Sequence, residues 1–115
     1  MKIKTQDLTG TALDWAVAII NYKLVYGVGY ITCIFSSKGW VARDEHRYST
    51  DWSQGGPIIE REDIAMWPDQ EGGWFASTDQ GKGMDYHGGT ALIAAMRCFV
   101  ASKLGDTIDI PEELL

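Results

Sequence analysis

The chain has 115 residues, which suits one folded domain, expected over residues 1–115, and leaves no room for two ordinary cores. Apolar residues make up 45% of it and charged residues 23%, the balance of a globular protein rather than a disordered one. Sixteen acidic and ten basic side chains give a net charge of −6. This charge repels phosphate backbones and argues against a general nucleic-acid binder.

Three features of the sequence predict the cellular compartment: its apolar stretches, its N-terminal residues and its cysteines. Asp14, Lys23 and Arg97 break them before any reaches the length of a membrane span, so no membrane association is expected. The N-terminal sequence lacks the apolar core of a signal peptide, which predicts a protein of the reducing cytoplasm. Cys33 and Cys98 form no CxxC pair, and both thiols are expected to be free there.

The first half of the chain predicts an edge strand over Met1–Thr5, where lysines alternate with apolar residues. A helix capped by Thr9 or Thr11 is expected to follow and to run to about Tyr22, with Asp14 as an acid in its first turn. Its apolar stripe is predicted to comprise Leu13, Ala16, Val17 and Ile20. After it we expect a strand over residues 24–35, a turn over 36–39, a brief strand over 40–42 and a long loop over 43–56.

The second half predicts a short helix that opens at Pro57 and a hairpin of residues 64–67 and 74–77 with a glycine turn. A glycine-rich loop over 79–89 precedes the clearest element, a nearly all-apolar helix from Ala91 to Leu104. Thr90 is expected to cap this helix and Gly105 to end it, and the helix should be central or lie in a subunit interface. With a last strand over 107–110, the pattern predicts a small α+β domain: a mostly antiparallel sheet, two main helices and one short helix.

No catalytic or metal-binding arrangement is evident in the sequence. His46 and His87 both lie in predicted loops, and neither has the spacing to other ligands that a zinc site requires. Gly27 and Gly29 lack the third glycine of a dinucleotide-binding motif. We therefore expect no metal and no cofactor, and an enzyme is the minority interpretation.

A ligand site is predicted where aromatic rings adjoin glycine-rich backbone. Planar rings stack on flat ligands, and glycines before a helix start let backbone N–H groups approach an anion. The one charge between Ala91 and Ser102 is a guanidinium that must be paired, either with Glu60 or Asp14 or with a bound phosphate. The predicted ligand-binding residues are Tyr48, Asp51, Trp52, Ser53, Gln54, Gly55, Gly56, Trp74 and Arg97.

Each of these residues also has a purely structural interpretation. Asp51 and Ser53 can form a tight turn by bonding to their own backbone. Small α+β domains use tryptophan to fill their cores, and this is the expected role of Trp15. Spacing alone does not decide between the two interpretations.

Three stretches of the sequence carry a resemblance to a known family: residues 1–18, 49–60 and 92–105, with STDWSQGGPIIE in the middle one. They are similar to the NinX-like proteins from the accessory regions of lambdoid phages and prophages. The family pattern has a proline after Thr90, where this chain has Ala91. The resemblance implies a phage protein that works in the host cytoplasm, and it implies no catalytic residue.

Together, the origin and the predicted site favour a protein that binds a small anionic ligand without turnover. The expected ligand is a nucleotide-derived second messenger of host anti-phage defence. The chain is expected to form a homo-oligomer through its apolar last helix, and a pocket at such an interface can close over a ligand. One alternative is an acidic modulator that binds a host enzyme or nucleic-acid protein. A less favoured one is a nucleotide-processing enzyme that uses Asp51, Glu60 or His87.

Overall fold

The computed structural model describes residues 1–26, 46–78 and 84–114. Within them it has three α-helices: α1 over Gly10–Tyr26, α2 over Trp52–Arg61 and α3 over Ala91–Leu104. The strands are β1 (Lys2–Lys4), β2 (Ala65–Pro68), β3 (Trp74–Ser77), β4 (Tyr86–Gly88) and β5 (Thr107–Asp109). Short 3-10 turns cover Thr5–Asp7 and Glu112–Leu114. The α+β fold is confirmed.

The strands form two separate antiparallel sheets. β1 pairs with β5, with Ile3 opposite Ile108, so the two ends of the chain lie side by side. β2, β3 and β4 form a three-stranded sheet in that order. The predicted hairpin is confirmed as β2 and β3, because Gly72 and Gly73 both adopt the positive φ angles that its turn needs.

α3 lies at the centre of the fold. It contacts α1, α2, the first 3-10 turn and all strands of the three-stranded sheet. Its predicted cap is confirmed, since Thr90 Oγ1 accepts a hydrogen bond from Ile93 N at 3.1 Å. Seven of its residues are buried within this one chain: Leu92, Ala94, Ala95, Met96, Cys98, Phe99 and Val100. Their apolar character is therefore explained by the core, and the homo-oligomer stays a prediction.

Two predicted boundaries around α2 and β4 are wrong. The short helix begins at Trp52 rather than at Pro57, because Asp51 supplies the cap and the backbone continues helically through both glycines. The segment Tyr86–Gly88 is a strand rather than a loop, because the free edge of β3 gives it hydrogen-bond partners. A Cβ on Gly88 would lie 2.5 Å from Ala94 N, so only glycine lets β4 pack this closely on α3.

Asp14 is also not the first-turn acid that the sequence predicts. It is the fifth residue of α1 and is 8% exposed. Its Oδ1 accepts a hydrogen bond from Ser49 N at 2.8 Å, which fastens the turn before α2 to α1. Burial raises the pKa of Asp14, although hydrogen bonds from Ser49 oppose that shift.

The remaining predictions concern the first half of the chain and residues 79–83, part of which lies outside the described residues. The apolar stripe of α1 is buried, as is Trp15, and β1 carries its two lysines toward solvent. The strand predicted for 24–35 is helical over its first residues, which belong to the end of α1. The remainder of that strand, the turn at 36–39, the strand at 40–42, Cys33 and residues 79–83 lie outside the described residues.

Candidate functional site

The start of α2 brings seven of the nine predicted ligand residues together. The turn before it is closed by hydrogen bonds from Thr50 N and Asp51 N to the Arg47 carbonyl, at 3.1 and 2.8 Å. Gln54 Oε1 accepts from Arg47 N at 2.7 Å, which fixes the turn against the helix. Tyr48 is 8% exposed and stacks on His46, with ring centroids 5.5 Å apart.

Asp51 and Ser53 bond to each other within their own turn, as the purely structural interpretation predicts. The Asp51 carboxylate accepts from Ser53 N at 2.9 Å and from Ser53 Oγ at 2.6 Å. These hydrogen bonds lower the pKa of Asp51, so the carboxylate is ionised at neutral pH. The carboxylate thus satisfies one backbone N–H at the helix start, that of Ser53, with a group of the chain itself.

Gly55 and Gly56 have different surroundings, and neither is a free anion cradle. Gly55 N donates to the Asp51 carbonyl at 3.0 Å. A Cβ on Gly55 would lie 2.5 Å from Tyr48 O and 2.6 Å from Leu92 Cδ1, so this glycine is where α2 packs against the turn and α3. Gly56 faces open space, with Trp52 Cε3 the nearest atom at 3.9 Å.

Trp52 is the exposed aromatic residue of this region. It is the first residue of α2, 53% exposed, and its ring reaches along the helix toward Gly56 one turn later. Arg47 lies five positions earlier, with a side chain that is 61% exposed. Its Nη2 is 3.7 Å from Asp51 Oδ2, a long ion pair at the surface that leaves most of the guanidinium accessible.

Arg97 and Trp74 lie on other elements. The Arg97 guanidinium donates from Nε to the Leu8 carbonyl at 2.8 Å and from Nη1 to the His87 carbonyl at 2.7 Å. Among the described residues no carboxylate forms an ion pair with it, so both predicted partners, Glu60 and Asp14, are wrong. Partial burial lowers the pKa of Arg97. Trp74 is in β3 and packs partly buried against the core.

Two grooves are lined by described residues. One, of about 660 Å³, lies between β1, the first 3-10 turn and the start of α1. The other, of about 330 Å³, lies beside the end of α3 and includes Tyr86, Cys98 and Asp106. Neither contains any of the nine predicted ligand residues. Burial raises the pKa of the Cys98 thiol to about 11, which makes it a poor nucleophile.

The two histidines do not come together at a metal. His46 stacks on Tyr48, whereas His87 Nε2 is 3.2 Å from Asp69 Oδ2. Over the described ranges no cluster of three histidine, cysteine or acidic side chains could hold a metal ion. In the same ranges no helix has the length and apolarity to cross a membrane.

The sequence interpretation chose Arg97 as the cation of the site and missed Arg47. Arg47 stands four residues before the helix-capping Asp51, and a side chain four positions away on a helical turn lies on the same face. That spacing was the available signal. It places a cation next to the Asp51 carboxylate at the start of α2, whereas the Arg97 guanidinium donates to two backbone carbonyls.

The chain matches a family model. The model described as "Bacteriophage P22, NinX" matches residues 4–103, which is most of the chain and includes α1, α2 and most of α3. No curated protein matches the chain.

Proposed function

Because the chain belongs to the NinX family of bacteriophage proteins, we propose that it is an accessory protein that binds a small, flat anion without turnover. The ligand class is a nucleotide-derived second messenger of host anti-phage defence, which binding would sequester in the host cytoplasm. The proposal is carried by the exposed Trp52 indole at the start of α2, together with the accessible guanidinium of Arg47, which pairs with Asp51, the residue before Trp52.

The chemistry of these two groups suits a nucleotide. An exposed indole offers a hydrophobic face on which a base stacks, worth about 1–3 kcal/mol per base. A guanidinium binds phosphate oxygens through two parallel hydrogen bonds. The Asp51 carboxylate already caps the helix, so Arg47 rather than the helix N-terminus is the group that would receive the phosphate.

Gly56 contributes by having no side chain. Its missing Cβ leaves open space next to the Trp52 ring, so the ring is not covered by its own helix. Ser53, three positions before Gly56 on the helix and exposed, offers a hydroxyl at the rim of this surface. In this proposal Gly55 and Arg97 stabilise the fold and do not touch the ligand.

Equilibrium dialysis against a panel of cyclic and linear nucleotides tests the proposal. We expect one class to be retained and to be recovered chemically unchanged after the protein is heated. Trp52→Ala should weaken binding about tenfold or more, because it removes the stacking face. Arg47→Gln should weaken it and lower its salt dependence.

Trp67→Ala is the matched control, since Trp67 lies in β2, away from α2, and is also partly exposed. It should leave nucleotide retention unchanged. The proposal is overturned if none of the nucleotides is retained, or if Trp52→Ala binds as tightly as the native chain. Recovery of an altered nucleotide would instead favour the enzyme interpretation.

A further inference from the structure

The three-stranded sheet carries a row of three rings that the sequence interpretation did not single out. Its register places Trp67 opposite Phe75 and Phe75 opposite His87, one ring from each strand. The Trp67 and Phe75 rings are stacked with centroids 5.9 Å apart, and His87 meets Phe75 edge-on at 5.0 Å. We call these three residues the ring row.

The ring row lies on the face of the sheet opposite α3. Side chains alternate along a strand, and the neighbours Met66, Trp74 and Ala76 pack on or within the core that α3 dominates. Trp67 and Phe75 are partly exposed and are not among the side chains that pack against that core. The His87 side chain is 39% exposed. The rings therefore present accessible faces away from the main core.

The surroundings of the ring row are acidic. The turn between β2 and β3 carries Asp69 and Glu71, and the three strands contain no lysine or arginine. Arg97 reaches the sheet from α3 and donates its hydrogen bonds to the Leu8 and His87 carbonyls. Asp69 Oδ2 lies 3.2 Å from His87 Nε2, which places a carboxylate at one end of the row. The position of Asp69 is fixed by the turn, since its Oδ1 accepts from Glu71 N at 3.1 Å.

We propose that the ring row is a docking surface for an arginine side chain of a basic protein. A guanidinium is flat and weakly hydrated, so it stacks on aromatic faces while its N–H groups pair with a carboxylate. Trp67 and Phe75 supply the faces, and Asp69 supplies the carboxylate at hydrogen-bonding distance from the third ring. Charge complementarity thus selects a cationic partner.

The same charges disfavour bases of a single-stranded nucleic acid, which also stack on rings in a sheet. Such binding sites surround their aromatic residues with lysine and arginine that track the phosphates. Here the turn beside the rings carries two acids, Asp69 and Glu71, and the strands carry no basic residue, in a chain of net charge −6. A basic protein segment is therefore the occupant that the surface fits.

This surface is distinct from the one proposed to bind nucleotides, which is built on α2. The inference gives a location and a chemistry to the alternative that the acidic chain binds a host protein. The two proposals can fail separately, because Trp52 and Trp67 lie on different elements and can be substituted one at a time.

Fluorescence anisotropy with two labelled peptides, (Gly-Arg)₅ and (Gly-Lys)₅, tests the proposal on the full chain at physiological salt. The peptides carry equal charge, so a surface that reads charge alone binds them equally. We expect the arginine peptide to bind at least fivefold more tightly, since guanidinium stacks on indole better than ammonium does. Equal affinities, or no binding of either peptide, would overturn the proposal.

Variants locate the site. Trp67→Ala and Asp69→Asn should each weaken arginine-peptide binding about fivefold, whereas Trp52→Ala, on α2, should leave it unchanged. Phe75→Leu keeps the apolar volume and removes the ring face, so it reports on stacking if Trp67→Ala does not fold. An arginine peptide that binds every variant equally, or a single-stranded oligonucleotide that binds the native chain more tightly than the peptide does, would refute the assignment.

Discussion

Alanine substitutions at Gly55 and Gly56, two adjacent glycines of α2, should change the stability of the protein in opposite directions. Both lie inside the helix and have no positive φ, so alanine can adopt the backbone of either one. On an exposed helix position, alanine in place of glycine stabilises by about 1 kcal/mol. A Cβ on Gly56 would meet only Trp52 Cε3, at an ordinary contact distance of 3.9 Å. Gly56→Ala should gain part of that amount, because the following Pro57 disfavours helical backbone at a residue that has a Cβ.

Gly55→Ala should lower the free energy of unfolding, and the distances around Gly55 give the reason. The added methyl carbon would lie 2.5 Å from the Tyr48 carbonyl oxygen, about 0.9 Å inside ordinary contact. That oxygen belongs to the backbone of a turn held by Asp14 and Gln54, so it cannot rotate away as a side-chain tip can. Overpacking of this kind costs about 1–3 kcal/mol, which exceeds the gain in helix propensity.

Urea unfolding followed by circular dichroism measures both variants. We expect Gly55→Ala to unfold at a lower urea concentration than the native chain and Gly56→Ala at a higher one. The dependence of the unfolding free energy on urea should be similar in all three proteins. In a chain of this size each kcal/mol corresponds to a shift of about 4 °C in Tm. A Gly55→Ala variant as stable as the native chain would refute the packing argument and return Gly55 to the list of ligand-binding candidates.

Three further outcomes follow from buried polar groups. Because burial raises the pKa of Asp14 above its ordinary 3.8, ionisation of this carboxyl costs stability as pH rises above that value, and Asp14→Asn should gain stability relative to the native chain over the same rise; a stability difference that stays constant in urea unfolding at every pH would contradict this. In a Cys33→Ser background, Cys98, with a pKa of about 11, should react with a thiol reagent at pH 8 far more slowly in the folded than in the urea-unfolded protein; equal rates would argue against its burial. Arg97→Lys should destabilise the ligand-free protein by about 1–3 kcal/mol in the same unfolding assay, because an ammonium lacks the fork that reaches two carbonyls; unchanged stability would point to a role in ligand binding instead.

Much of the fold was predictable because its signals are local. The cap at Thr90 and the end of its helix at Gly105 depend on residues three or four positions apart, which the sequence displays directly. The hairpin followed from two short apolar runs around Gly72 and Gly73. The start of α2 was misplaced because Pro57 is also a strong helix-start signal, and the cap at Asp51 prevailed over it.

The candidate site was less predictable because its groups are defined by contacts between distant parts of the chain. Arg97, the one charge between Ala91 and Ser102, correctly indicated a residue that needs partners. Those partners are the carbonyls of Leu8 and His87, and a backbone acceptor cannot be recognised from side-chain composition. Gly55 reads in sequence like a loop glycine, and its reason for being glycine is the approach of Tyr48 and Leu92.

The sequence by itself determined where most helices and strands form, since capping, turn geometry and apolar periodicity act over a few residues. It also determined membership of the NinX family. Only the tertiary structure decided which face of each element is covered. Strand pairing placed Trp67, Phe75 and His87 in one row. The packing of the turn before α2 on α1 buried Asp14, which accepts a hydrogen bond from Ser49 N there. The physical reason is that burial and long-range hydrogen bonds depend on how elements pack, which no local pattern specifies.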